Sequence, residues 1–196
     1  MLPKQLSNGV CSLNPFEDKL TLSCIMEIDA EGKVVKYDIA ETVINSKARM
    51  TYTEVSDILE KDDEKLKKTF AKQVDDFIAA EKLARILMKR RQRRGAIDFD
   101  FPEAKIILNK NGEVVDIKHY ERRISNKMIE EFMLVANETV AEHFFWLQLP
   151  FVYRIHETPS VEKMEDLNKF ISTFGYHIKG DLEDVHPKEI QSLVEK

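Results

Sequence analysis

Asn109-Lys110-Asn111-Gly112 separates two short runs rich in β-branched residues, Ala104–Leu108 and Val114–His119. Asn-Gly supplies the positive φ values that a tight turn between antiparallel strands wants, so a β-hairpin is required here. A second hairpin is expected between Lys19 and about Asn45, where β-branched and aromatic residues surround Asp29-Ala30-Glu31-Gly32. These two hairpins exclude an all-α chain. Long stretches of helical period exclude an all-β one.

From near Asp63 to Arg93, the residues Leu66, Phe70, Val74, Phe77, Ile78, Leu83, Ile86 and Leu87 recur mostly at three- and four-residue steps, as one buried helical stripe requires. Ser125 to about Trp146 shows a broader apolar face made by Met128, Ile129, Phe132, Met133, Val135, Ala136, Val140 and Phe144. Thr51, with Glu54 three residues on, has the spacing of a reciprocal helix cap. Ser160 opens a further amphipathic helix over Lys163–Thr173 that ends near Gly175. Short strands are expected at Phe151–Ile155 and at Ile97-Asp98-Phe99-Asp100-Phe101, where apolar and acidic residues alternate until Pro102. Residues 1–18, rich in Ser, Asn, Gly and Pro, read as a loop, and the tail is too polar to assign. The fold class is therefore α+β, a mixed sheet of hairpins packed with long amphipathic helices.

Composition narrows the function classes. A chain of 196 residues with 43% hydrophobic content has enough apolar material to bury about 70% of its unfolded surface. No apolar run is long enough to cross a bilayer, so no membrane partner is expected. Met1-Leu2-Pro3-Lys4 lacks the basic and apolar regions of a secretory signal, which leaves the cytoplasm as the default location. Cys11 and Cys24 have no partners that would complete a zinc set and read as two buried free thiols. The net charge of −5 argues against coating nucleic acid by bulk electrostatics, although locally placed cations in a channel are compatible with it.

No Gly-x-Ser-x-Gly, phosphate loop or Gly-x-Gly-x-x-Gly occurs, and the five histidines are scattered. Acidic neighbours such as Asp75-Asp76 and Glu130-Glu131 point about 100° apart on a helix and do not share one ion. Asp98 and Asp100 share one strand face, which reads first as a solvated edge. The run Lys89-Arg90-Arg91-Gln92-Arg93-Arg94 has two open readings. It offsets the macrodipole at a helix C-terminus, or it contacts phosphates beside the ring of Phe99, as in single-strand binding.

Longer stretches carry a resemblance. Leu2-Pro3-Lys4-Gln5-Leu6-Ser7-Asn8-Gly9-Val10-Cys11-Ser12-Leu13-Asn14-Pro15, followed by Asp18-Lys19-Leu20-Thr21, closely resembles a signature of the ribonuclease R and ribonuclease II (RNB) family. The match continues through Ser46–Tyr52, Arg94–Phe99, Ile129–Asn137 and Tyr153–Ser160 in the family's order and spacing, so it covers about residues 1–178, nearest the bacterial ribonuclease R branch. The resemblance implies part of the catalytic domain of a magnesium-dependent 3′-to-5′ exoribonuclease. Such an enzyme threads single-stranded RNA to a deep site and releases nucleoside 5′-monophosphates.

Residue by residue, the resemblance makes Phe99 the ring that stacks on bases at the 3′ end. It places Tyr52 near the terminal ribose and makes Glu130 the carboxylate that bonds sugar hydroxyls. Arg93 and Arg94 enter as RNA-binding candidates only through the phosphate-contact reading of the basic run. By pattern alone Phe99 is a core residue, and Tyr52 and Glu130 are ordinary helix residues. The family's metal-holding aspartates lie upstream of the Leu-Pro-Lys signature and its arginine motif lies downstream, so no catalytic or metal residue is expected within these 196 residues. The expectation is a chain inactive alone and prone to self-association through apolar surface that the missing segments would cover. The alternative is a noncatalytic module that binds RNA or a protein partner.

Overall fold

The computed structural model describes residues 2–97 and 103–195. It divides into two units, residues 1–87 with 122–151 and residues 88–121 with 152–196. The class is α+β, and both expected hairpins are present. In the first unit β1 (Asp18–Ile28) pairs antiparallel with β2 (Val34–Asn45). In the second, β3 (Glu103–Leu108) pairs antiparallel with β4 (Val114–Tyr120).

The two hairpins close with the same turn. Asp29 Oδ1 accepts the amides of Glu31 (3.0 Å) and Lys33 (2.8 Å), and Asn109 Oδ1 accepts those of Asn111 (2.9 Å) and Glu113 (3.0 Å). Gly32 and Gly112 take the left-handed position at φ 85° and 83°. Asn111 has no positive φ, so the turn is the bulged kind, with the register shifting beside it at Ile107/Leu108. The side chain opening the loop, and not an Asn-Gly pair, sets its geometry.

Helix α1 (Tyr52–Glu60) begins with the expected reciprocal cap. The Thr51 hydroxyl accepts the Glu54 amide at 3.2 Å, and Glu54 Oε2 accepts the Thr51 amide at 2.9 Å. The long helix expected from Asp63 is instead two, α2 (Glu64–Thr69), capped by Asp63, and α3 (Val74–Arg94). No Gly or Pro lies at the break. Phe70 leaves helical geometry at φ −111°, and Phe70–Gln73 line a cavity with Phe16 and Lys47–Arg49, so tertiary surroundings override a continuous helical period. The expected stripe is accordingly only half-buried, with Leu87 and the unmarked Ala84 fully buried and Ile78 exposed.

Helix α4 (Ile124–Trp146) matches its expected span. Ile124, Met128 and Val135 join Val55 and Ile58 of α1 in the core of the first unit, each contributing roughly 1.5–3 kcal/mol by burial. Met133 and Ile129, expected on the buried face, are exposed, whereas Ser125, Glu131 and Thr139 are buried. Thr139 satisfies its hydroxyl on the Val135 carbonyl at 2.8 Å, and Tyr37 of β2 meets His143 Nδ1 at 3.2 Å.

In the second unit, α5 (Val161–Ser172) starts at the expected Ser160 cap and is followed by Gly175 at φ 81°. The polar tail forms α6 (Pro187–Val194), with Pro187 at its start and His186 Nδ1 accepting the Lys188 amide at 3.1 Å. Phe151–Ile155 is not a strand. Val152 is 92% exposed, and among the described residues no β-ladder, which a strand needs, runs along the segment. Residues expected as N-terminal loop include a π-helical turn at Leu6–Val10. Cys11 is exposed and Cys24 half-buried, unlike the buried pair expected. The strand expected across Ile97–Phe101 falls largely on residues 98–102, outside the described ones.

The β1–β2 hairpin shows an unusual distribution. Leu20 (86% exposed), Leu22 (80%) and Val43 lie open, while Thr21, Ser23 and Thr42 share hydroxyl bonds of 2.6–2.7 Å on the opposite face. A sheet with one face in water ordinarily does the reverse.

Candidate nucleic-acid interface

Tyr52 is the first residue of α1, and its side chain is well exposed. Its carbonyl accepts a hydrogen bond from Ser125 Oγ at 2.8 Å. Ser56 Oγ lies 2.7 Å from Ser125 Oγ, and both serines are almost fully buried. Because Ser125 gives its only hydroxyl proton to Tyr52, Ser56 must donate to Ser125. The same Ser56 oxygen accepts the Ser125 amide at 3.4 Å. This closed set pins the start of α1 to the start of α4.

Glu130 sits five residues beyond Ser125 on α4, about 7.5 Å along the axis. Two sequence-expected residues are thus brought onto one helix pair. Its carboxylate is half-exposed and held by Arg122, with Nε at 3.1 Å and Nη2 at 2.6 Å from the same oxygen, Oε2.

A second ionic group fastens the pair more deeply. Arg123 reaches Asp57 at 2.8 Å and Glu60 at 2.7 Å, and Glu60 Oε1 accepts the Ile124 amide at 3.0 Å. Lys61 and Arg123 hold the Asp57 carboxyl below its usual range. Burial opposes ionisation of Glu60, but the Ile124 amide and Arg123 outweigh it and lower its pKa too. The Thr51 hydroxyl and amide lower Glu54 likewise.

Carboxyls held low in the folded chain stabilise it fully above their unfolded values of roughly 4 and lose that contribution as pH falls through the lowered folded values. Thermal unfolding followed by circular dichroism should therefore show a midpoint that starts to fall as the pH drops below about 4. An Asp57→Asn/Glu60→Gln variant should be less stable at pH 7 and show a flatter decline. An equally steep decline in the variant would remove these carboxyls from the account.

A cavity of about 500 Å³ in the same unit was not foreseen. Phe16, Phe70, Lys47, Arg49, Lys68 and Lys72 line it. Phe16 adopts a left-handed backbone at φ 64°, which costs a non-glycine residue about 1–3 kcal/mol, and its amide donates to the Ser46 carbonyl at 2.7 Å. Rings among cations are what a single strand needs, stacking for bases and charge for phosphates. Nothing in the linear sequence marks the cavity, because Lys47–Arg49 and Lys68–Lys72 meet only in the fold.

Arg93 and Arg94 belong to the second unit, exposed on the last turn of α3, where cations complement the helix dipole. Gly95 follows at φ 99°. Gln191 of α6 donates to the carbonyls of Gln92 (3.0 Å) and Ala96 (3.2 Å), closing the end of α3. Phe99 lies outside the described residues, as do Asp98 and Asp100. Among the described residues no three His, Cys, Asp or Glu side chains are grouped to hold a metal ion. No described helix is long and apolar enough to cross a membrane.

Residues 1–196 match the RNB domain model. The chain belongs to the RNB domain family. It is 45% identical over 196 residues to ribonuclease R 1 of Lactococcus lactis, covering 100% of this chain and 24% of that protein. It is 46% identical over 197 residues to ribonuclease R of Thermotoga maritima, covering 100% and 27%. The chain thus spans about a quarter of the length of these relatives. Mycoplasma genitalium RNase R, solved in complex with double-stranded RNA, has a TM-score of 0.88 at 29% identity over 99% of this chain and 34% of that one. The same enzyme solved with ribose methylated single-stranded RNA superposes with a TM-score of 0.87 over 99% of this chain and 30% of that one, again at 29% identity.

Proposed function

We propose that this chain is the RNA-holding middle part of the catalytic domain of a cytoplasmic 3′-to-5′ exoribonuclease that hydrolyses single-stranded RNA to nucleoside 5′-monophosphates with magnesium. The observation that carries the reading is the α1–α4 pair, which presents Tyr52 and Glu130 on a locked support in a chain of the RNB family. Tyr52 and Glu130 meet the terminal ribose, Phe99 stacks on the last bases, and Arg93 and Arg94 contact phosphates. A ring packs on any base, so the clamp holds sequence-independently. A carboxylate facing a 2′-hydroxyl separates RNA from DNA.

These groups bind and orient without supplying the chemistry. Magnesium, where bound, would supply the activated water and the charge that hydrolysis of a phosphodiester needs, part of a barrier lowering that enzymes provide on the order of 8–23 kcal/mol. Stacking at about 1–3 kcal/mol per base is no substitute. The metal-holding aspartates come from outside these residues, and the 196-residue chain holds RNA without shortening it. Incubation with 5′-labelled RNA, with magnesium or with chelator, tests this on a gel. Full-length RNA in both lanes is expected, and magnesium-dependent shortening would overturn the assignment of the aspartates.

The apolar face of the β1–β2 hairpin, with Leu20 paired to Val43, drives self-association of the isolated chain, because exposed apolar sheet surface recruits partners. Light scattering should show mass rising with concentration, and Leu20→Lys/Leu22→Lys should return it to a monomer. A monomer at every concentration contradicts this.

A further inference from the structure

We propose that Arg122 is a positioning residue that fixes which oxygen of Glu130 faces the sugar, and thereby sets the preference for RNA over DNA. The inference rests on the reading of Glu130 as the ribose-binding carboxylate. It starts from an asymmetry in the ion pair. A guanidinium facing a carboxylate squarely places one donor on each oxygen. Here Nε and Nη2 both fall on Oε2, at 3.1 and 2.6 Å, so Oε1 is left to accept from a ligand.

The pair is only partly withdrawn from water, with side chains 24% and 43% exposed for Arg122 and Glu130, and such pairs contribute little to stability. Its effect is on geometry. Glu130 is a flexible side chain on a helix face, and unrestrained it would sweep several rotamers and spread its acceptors over them. Two donors on one oxygen select a rotamer and aim the other oxygen outward before RNA arrives, which removes an ordering cost from binding. Arg122 does this from just before the N-cap of α4 (Ile124–Trp146), the helix that carries Glu130. A 2′-hydroxyl then donates to a waiting acceptor, whereas a deoxyribose offers nothing there.

The test measures affinity of the whole 196-residue chain for a fluorescent single-stranded RNA and the DNA of the same sequence. The variants are Arg122→Met, Arg122→Lys and Glu130→Ala, each first checked for unchanged circular dichroism. The native chain should prefer RNA by about tenfold, the size of one hydrogen bond to a charged group. Glu130→Ala and Arg122→Met should both bring the ratio near one by weakening RNA alone. Arg122→Lys, which keeps the charge but not the two-donor fork, should fall between. A structural role for Arg122 would instead weaken RNA and DNA together. If Glu130→Ala abolishes the preference and Arg122→Met leaves it intact, the inference about Arg122 fails and the ribose reading stands. If the native chain shows no preference, or Glu130→Ala does not change it, the ribose reading fails and takes the inference with it.

Discussion

Replacing Phe99 with alanine is expected to weaken retention of single-stranded RNA by roughly 5- to 150-fold, the equivalent of about 1–3 kcal/mol for one base–aromatic stack. The ring offers a flat face to any base, so RNA and DNA should lose affinity to the same extent. The loss should also persist at high salt. Phosphate contacts such as those assigned to Arg93 and Arg94 weaken steeply as counterions compete, whereas stacking does not involve net charge. Titration by fluorescence anisotropy at two ionic strengths separates the two contributions. An unchanged dissociation constant in Phe99→Ala at both would remove the stacking role. A loss confined to low salt would shift the weight of binding to the arginines.

Gly95→Ala should lower the stability of the second unit by about 2–5 kcal/mol, combining left-handed backbone strain with overpacking. At φ 99° the backbone is in the region that L side chains avoid. An added Cβ would stand 2.8 Å from the Lys188 amide nitrogen and 3.0 Å from its Cα. Backbone does not yield as a side-chain tip does, so α6 must shift. Gln191 would then leave the Gln92 and Ala96 carbonyls that it now satisfies. Urea denaturation should show the lowered midpoint, and Gln191→Ala should reproduce a smaller part of it. A Gly95→Ala midpoint within about 0.5 kcal/mol of the native chain, the range of an ordinary surface substitution, would contradict this account of how α6 docks.

The parts of the fold written in local signals were legible. Asp29 and Asn109 announce their turns three residues before a glycine, Thr51 with Glu54 announces a helix start, and Ser160 announces another. These are interactions within five residues, which sequence spacing encodes directly. What failed depends on distant partners. The break between α2 and α3 answers to Lys47–Arg49 and Phe16. Val152 and Ile155 carry strand propensity but find no ladder among the described residues. The polar tail hides α6, whose buried residue is Gln191 and not a hydrophobe.

Periodicity also misjudged α4, because it marks apolar residues as core and passes over Ser125, Glu131 and Thr139, which are buried. The candidate site was legible in a different way. Nothing in pattern or spacing lifts Tyr52 or Glu130 above ordinary helix residues; the family resemblance named them, and the Ser56–Ser125 lock and the Arg122 pair emerged only with the fold. The cavity around Lys47, Arg49, Lys68 and Lys72 had neither kind of signal.

A chain that holds the end of a single-stranded RNA through the Tyr52 and Glu130 pair should tell ribose from deoxyribose, and equilibrium binding of the native chain to matched RNA and DNA strands tests this most directly. Measurable retention of both is expected, stronger for RNA by about tenfold through one charged hydrogen bond to the ribose. Equal affinity for the two, or no binding to either, would contradict it.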